Sequence, residues 1–295
     1  MEDMDVAGPV VAAEGFEAVF AVDGSLEQER WERAAARVRF EDLLPVSAFP
    51  VVPGKRWGPG WWWSATTGGH VAHGSAAMVV QLMLLDRDPQ VVGISGRPLR
   101  VLWREGDGRV RSWVPQVFAR YADGTAMLAD CPGAPGAGGV AAQRAGAAVG
   151  QACARVGWVY RRLRAPDPVV VGNVRWLAGY RHPRFRGAAG VEEAVLEAFS
   201  CPRPLVEGVR AVGNPLVVLP VVYHALWAHR LRAPLERPLH GGTLLRPGSA
   251  WAACGSRLAA GAGSGAAGVG GSWQAAGGRA GGSDGRADAG AEVEW

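Results

Sequence analysis

Lysine is almost missing from this chain. Lys55 is the only one, and every other basic side chain is arginine. Alanine and glycine are abundant at the same time, a pattern that follows GC-rich coding, so arginine content alone does not mark phosphate recognition. The four cysteines (Cys131, Cys153, Cys201, Cys254) are scattered, with no close pair. That spacing excludes a zinc knuckle or a dithiol redox motif and reads as reduced thiols in a cytoplasmic protein. No apolar run reaches membrane-spanning length, and the N-terminus is acidic rather than signal-like. Gly93, Gly96, Gly106 and Gly108 do not open a helix as a dinucleotide fingerprint would. A serine elbow, a Cys–His pair and a phosphate loop are absent as well.

What is present is enough for one large domain or two ordinary ones, at 295 residues. The net charge of +4 hides an asymmetry. Residues 1–45 are acidic (Glu2, Asp3, Asp5, Glu14, Glu17, Asp23, Glu27, Glu29, Glu32, Glu41 and Asp42 against Arg30, Arg33, Arg37 and Arg39) and leave a basic remainder. They read as a partly disordered leader with a helical arm over 26–39. A basic body behind such a leader is compatible with nucleic-acid binding.

The chain is organised around residues 56–89. Trp61, Trp62 and Trp63 predict an aromatic strand or turn, residues 64–69 a polar turn, and the remainder an amphipathic helix ended by Pro89. Ahead of it, residues 40–52 read as an edge strand. Behind it come strands over 90–103 (broken near Gly96 and Pro98), 109–121 and 125–130, a helix over 140–156 and a strand over 158–163. This order predicts an α/β domain with a mixed sheet over 46–164. Helices are expected over 168–180, 191–199, 205–211 and 216–231, with a strand pair in 235–246. Residues 165–247 thus form a small, mainly helical, winged-helix-like unit. The Gly/Ala-rich residues 248–295 are too poor in large apolar side chains to fold and read as disordered.

His70 and His73, three apart, would share a face on a helix and could hold a metal there, although no third ligand is nearby. A second arrangement is positional. Metal-dependent nucleases of the helix–strand–strand type place one carboxylate on a helix, one at a strand start and an acidic–x–basic triplet on the next strand. The carboxylates hold Mg2+, which activates water and neutralises charge on the scissile phosphate. Asp130 ends the third strand and heads the triplet Asp130-Cys131-Pro132.

At this point the chain resembles a known family, the TnsA-like endonuclease subunits of heteromeric transposases in their actinobacterial form. The residues behind the resemblance are Pro59-Gly60-Trp61-Trp62-Trp63-Ser64-Ala65-Thr66-Thr67-Gly68, Leu82-Met83-Leu84-Leu85-Asp86, Val91-Val92-Gly93-Ile94, Phe118-Ala119-Arg120, and Asn173-Val174-Arg175-Trp176-Leu177 through Phe185. The similarity runs from about residue 45 to 246. It implies a restriction-endonuclease-like fold, Mg2+-dependent strand cleavage at transposon ends, and work beside a transposase subunit and an ATPase regulator.

Carried over residue by residue, the family's helix glutamate falls on Gly74, a second common glutamate on Met78, its strand aspartate on Gln116 and the basic residue of its triplet on Pro132. Only Asp130 is retained as a catalytic position and metal ligand. The resemblance therefore implies impaired or absent cleavage. Alternatives are a catalytically silent DNA- or transposase-binding module and the product of a decaying transposon gene. Candidate phosphate contacts are Arg161, Arg162, Arg164, Arg175, Arg181, Arg184 and Arg186. Their bland counterpart is a solvated arginine face.

Overall fold

Phe16, Ala18 and Phe20 alternate inward along strand β1 (Phe16–Val22), the period-two pattern of a half-buried strand. Asp23 and Gly24 follow with φ of 48° and 81°, the left-handed pair of a tight hairpin turn, and return the chain as β2 (Ser25–Arg30). Helix α1 (Trp31–Arg37) buries Trp31 completely, and its indole N–H donates to the Ala152 carbonyl at 2.6 Å. The expected loose arm over 26–39 is thus half strand and half packed helix. The Asp-Gly turn decides this by fixing the hairpin register. The computed structural model describes residues 15–49, 51, 58–131, 139–188 and 190–248. The acidic residues before 15 and the Gly/Ala-rich tail lie outside them.

A short 3-10 turn at Phe40–Asp42 replaces the expected edge strand within the described residues 40–49 and drives Phe40 into the core. The Trp-rich segment forms a hairpin of β3 (Gly60–Trp63) and β4 (His70–His73), with Trp63 opposite His70. His70–His73 is therefore a strand rather than the first helical turn. Residues three apart on a strand point to opposite faces, so the two histidines do not form a shared metal face. Helix α2 (Ala76–Arg87) begins only after Ser75, whose Oγ accepts from Met78 N–H at 3.2 Å. It ends before Pro89, as expected.

The break near Gly96 and Pro98 is larger than a bulge. It separates β5 (Val91–Gly96) from β6 (Leu99–Arg104) and hands the chain from one sheet to another. Pro115 likewise lies between β7 (Val110–Trp113) and β8 (Val117–Tyr121). After β9 (Ala126–Asp130), helix α3 (Gly139–Arg155) crosses over to β10 (Val159–Arg162), which pairs parallel with β9. Two four-stranded sheets result, ordered β2-β1-β6-β7 and β10-β9-β8-β5. The second is mixed, so the chain is α/β, as expected.

Alternation along β9 sorts the core. Ala126 and Leu128 pack with Phe20, Trp31, Phe118 and Trp158 on the α3 side, whereas Met127 and Ala129 pack with Met78, Leu82 and Ile94 on the α2 side. Beyond residue 165, helices α4 (Pro168–Ala178), α5 (Val191–Ala198), α6 (Leu205–Val212) and α7 (Pro215–Trp227) enclose a third core. A small antiparallel sheet of β11 (Arg203–Pro204), β13 (Leu244–Pro247) and β12 (Leu231–Arg232) closes it. Leu231, expected in the last helix, belongs to this sheet.

Helix α2 joins the two halves. Its Met78 and Leu82 face the sheet and its Met83 enters the helical core. At its end the Arg87 guanidinium donates to the Leu226 carbonyl at 3.0 Å, and His229 Nε2 lies 2.6 Å from the Arg87 carbonyl. A carbonyl only accepts, so Nε2 of His229 is the protonated nitrogen. No helix among the described residues is long and apolar enough to cross a membrane.

Candidate functional site

Asp130 stands at the end of β9, in register with Gln116 beyond β8 and with Arg162 on β10. It is 5% exposed. Oδ2 accepts from the Tyr160 hydroxyl at 2.6 Å and from the Trp113 indole at 2.7 Å, and Oδ1 accepts from Gln116 N–H at 3.2 Å. Tyr160 reaches it because α3 carries Gly146 at the crossing, where a Cβ would sit 3.0 Å from the tyrosine ring. Burial raises the Asp130 pKa, while the Tyr160, Trp113 and Gln116 hydrogen bonds and the Arg162 charge pull it back down. The same burial and the Asp130 bond push the Tyr160 hydroxyl well above its ordinary range.

The side chain of Asp130 shares the parity of Ala126 and Leu128, on the α3 face. The helix carboxylate slot that the resemblance implies falls on Gly74, next to α2, which packs on the other face of the sheet. Gly74 itself precedes α2 and is not helical. A Cβ there would fall 2.3 Å from Cδ1 of Phe49, so the position is filled by an aromatic ring. Gln116 is spent internally: its Oε1 accepts from Cys131 N–H at 3.0 Å. Burial pushes the adjacent Cys131 thiol up to about 12, so it is no thiolate ligand. Pro132 lies outside the described residues.

These residues do not fit Mg2+. That ion takes six oxygen ligands in near-octahedral order. Asp130 offers one carboxylate whose two oxygens already hold three protein donors, and Gln116 faces the backbone. Among the described residues, no group of three or more His, Cys, Asp or Glu is placed to hold a metal.

Asp86, at the end of α2, anchors the Trp-rich hairpin. It accepts from Trp62 Nε1 (3.0 Å), Ser64 Oγ (2.6 Å), Ala65 N–H (3.1 Å) and Thr66 N–H (2.9 Å). Arg181 continues the assembly. Its guanidinium lies 4.0 Å from the Trp62 ring centroid, its Nε donates to the Trp63 carbonyl at 2.8 Å, and a second nitrogen bonds the Ala178 carbonyl. His182 stacks on Trp63 with centroids 4.7 Å apart.

The candidate DNA-contacting arginines accordingly divide. Arg181 is half-buried and committed to Trp62, Trp63 and Ala178. Arg186 faces Glu192 at 3.8 Å. Arg161, Arg164, Arg175 and Arg184 are exposed and form no ion pair among the described residues; Arg162 is exposed beside Asp130. Trp176, 56% exposed, adds an aromatic face next to Arg175 and meets Tyr180 and Tyr223 edge-on or tilted.

The partners that define the site, Trp113 and Tyr160 for Asp130 and the loop amides for Asp86, carry no local sequence signal. They are set by strand pairing. In comparisons with known proteins, no protein-family model matches the chain and no curated protein matches it.

Proposed function

We propose that this chain is a non-cleaving relative of the TnsA-like transposase endonuclease subunits, which binds DNA ends and its transposase partner without cutting. In this reading the mixed sheet between α2 and α3 is a restriction-endonuclease-like core, and residues 165–247 are a winged-helix-type unit. The observation that carries it is the state of Asp130: one retained carboxylate, buried, with both oxygens held by Trp113, Tyr160 and Gln116. A metal-dependent nuclease needs several carboxylates converging on open coordination positions. The resemblance supports the family reading, and the Asp130 environment supports the loss of cleavage.

DNA contact falls to the surface of β10, α4 and the 3-10 turn Pro183–Arg186, where Arg161, Arg175 and Arg184 face solvent with no acidic partner among the described residues. Phosphate contacts of this kind position a protein on DNA and make binding salt-dependent. The test is fluorescence anisotropy of a labelled transposon-end duplex over a salt series. Binding at low salt that weakens steeply as salt rises is expected. A duplex that stays unbound at the lowest salt overturns the proposal.

A further inference from the structure

Helices α2 and α4 share the helical core through Met83, Val174 and Leu177. Nearer their N-termini they enclose a cleft of about 390 Å³. Val80 and Gln81 of α2 line one wall, Val171, Gly172 and Arg175 of α4 line the other, and Pro166 of the linker after β10 adds to the lining. Every lining residue is apolar except Gln81 and Arg175. Gln81 belongs to the frame: it is buried, and its Nε2 donates to the Arg164 carbonyl at 2.8 Å, fastening the linker to α2. Arg175 stands at the open side, exposed and without an ion pair among the described residues. Asp167, at the start of α4, is occupied by the N–H groups of Val169 and Val170.

Gly172 is the unexpected residue in this wall. Glycine inside a helix is less stable than alanine there. The backbone does not require it, since its φ is not positive. Packing does not require it either, because a Cβ at this position would meet nothing within 4 Å. What the missing side chain leaves is room in the cleft.

We infer that the α2–α4 cleft binds a compact organic carboxylate, with its alkyl or aryl body between Val80, Val171 and Pro166 and its carboxylate on the Arg175 guanidinium. Cavities of roughly 300–1,000 Å³ with apolar walls and a few orienting polar groups are the usual sites of small organic ligands. Guanidinium holds a carboxylate through two parallel hydrogen bonds. A nucleobase suits the cleft less well, because its polar edge would face apolar walls and an amide already committed to the Arg164 carbonyl. The walls come from both halves of the molecule, so the ligand bridges them. The site goes beyond the DNA-end reading and does not rest on it, because it is tested without DNA.

The experiment titrates the full chain with hydrocinnamate by calorimetry and thermal shift, beside its neutral amide and beside acetate at equal ionic strength. Hydrocinnamate is expected to bind and to raise the melting temperature. The amide lacks the charge and acetate lacks the apolar body, and each is expected to bind roughly tenfold more weakly or less. Gly172→Leu places a side chain in the cleft. It is expected to keep or raise the melting temperature of the free protein and to weaken hydrocinnamate binding by roughly tenfold or more. Gly172→Ala repeats the test with the smallest change, and a smaller loss is expected. Arg175→Gln should bring hydrocinnamate down to the level of its amide and leave the amide's own binding unchanged. Three results overturn the inference: no hydrocinnamate binding by the unaltered chain, an amide that binds as well as the acid, or undiminished binding in a folded Gly172 variant.

Discussion

The hydroxyl of Tyr160 donates to Oδ2 of Asp130 across 2.6 Å, between two parallel strands joined by α3. The bond makes Asp130, the one carboxylate at the positions the resemblance implies, a structural acceptor. With Trp113 on the same oxygen and Gln116 N–H on the other, Asp130 ties β7, β8, β9 and β10 together. Asp130→Ala is expected to lower stability by about 2–4 kcal/mol, because it leaves buried donors unpaired. Tyr160→Phe should cost less, about 1 kcal/mol, since it removes the donor and leaves the carboxylate two others. Urea denaturation of the three proteins checks the order. Stability unchanged in Asp130→Ala would show that the carboxylate is free for another role.

Metal should not stabilise the protein through this site. Anything that binds the folded chain alone raises its melting temperature. Millimolar Mg2+ or Mn2+ is expected to shift the melting temperature of neither the unaltered chain nor Asp130→Asn. A rise seen in the unaltered chain and absent in Asp130→Asn would demonstrate a metal at Asp130.

A glutamate placed where the resemblance to TnsA-like subunits puts a helix carboxylate meets Phe49. Gly74→Glu is expected to destabilise by about 1–3 kcal/mol, the range for overpacking a filled site. Combining it with Phe49→Ala should recover part of that loss by vacating the ring's space. Thermal denaturation of the single and double variants measures the coupling. Simple additivity would mean that the ring and the new side chain do not compete.

Much of the fold is legible in the sequence, and the reasons are local. Pro89 ends α2, Gly96 and Pro98 break the strand over 90–103, and the apolar spacing of residues 139–227 places α3 to α7 close to their observed bounds. The Asp23-Gly24 turn is equally legible, and it favours a hairpin strand over 25–30 against the helix expected over 26–39. What could not be read depends on pairing across the chain. Asp86 meets Trp62, Ser64 and Thr66 only because the β3–β4 hairpin folds back onto the end of α2. His70 and His73 look like helical neighbours until β4 pairs with β3. Asp130 looks like a ligand until Trp113 and Tyr160 arrive from other strands.

The Asp86 anchor accounts for the Trp-rich stretch without invoking chemistry. Asp86→Ala is expected to cost about 3–5 kcal/mol, as removal of a buried, multiply bonded acceptor does. Trp62 emission should shift to the red as its indole loses its partner. A variant as stable as the parent would show that the hairpin is held elsewhere.

Arg181 and Arg175 should behave differently although they are close in sequence. Arg175→Ala and Arg184→Ala are expected to weaken end-DNA binding with little change in stability, each reducing the salt slope by about one if it contacts a phosphate. Arg181→Ala should instead lower the melting temperature, since it removes the cation over Trp62 and the bond to the Trp63 carbonyl. Chemical denaturation and salt-dependent anisotropy on the same three variants separate the two roles.

The pH response follows from His229 and His73, whose pKa values burial holds below 6.5. The unfolded chain then binds more protons than the folded one between the folded values and 6.5. Stability is therefore fully present above about 6.5 and lost as pH falls toward the folded values. His229→Asn, which suits the φ of 56°, should flatten part of that slope. Melting temperatures from pH 7.5 to 5 provide the check.

Incubating the purified protein and the proposed partner transposase subunit with labelled transposon-end duplex in Mg2+ or Mn2+, and reading binding and strand nicking from the same reaction, tests whether the chain holds DNA ends without cutting them. The expected result is duplex that is bound and intact, identical for the unaltered chain and for Asp130→Asn. End-specific nicking by the unaltered chain that disappears in Asp130→Asn would contradict it.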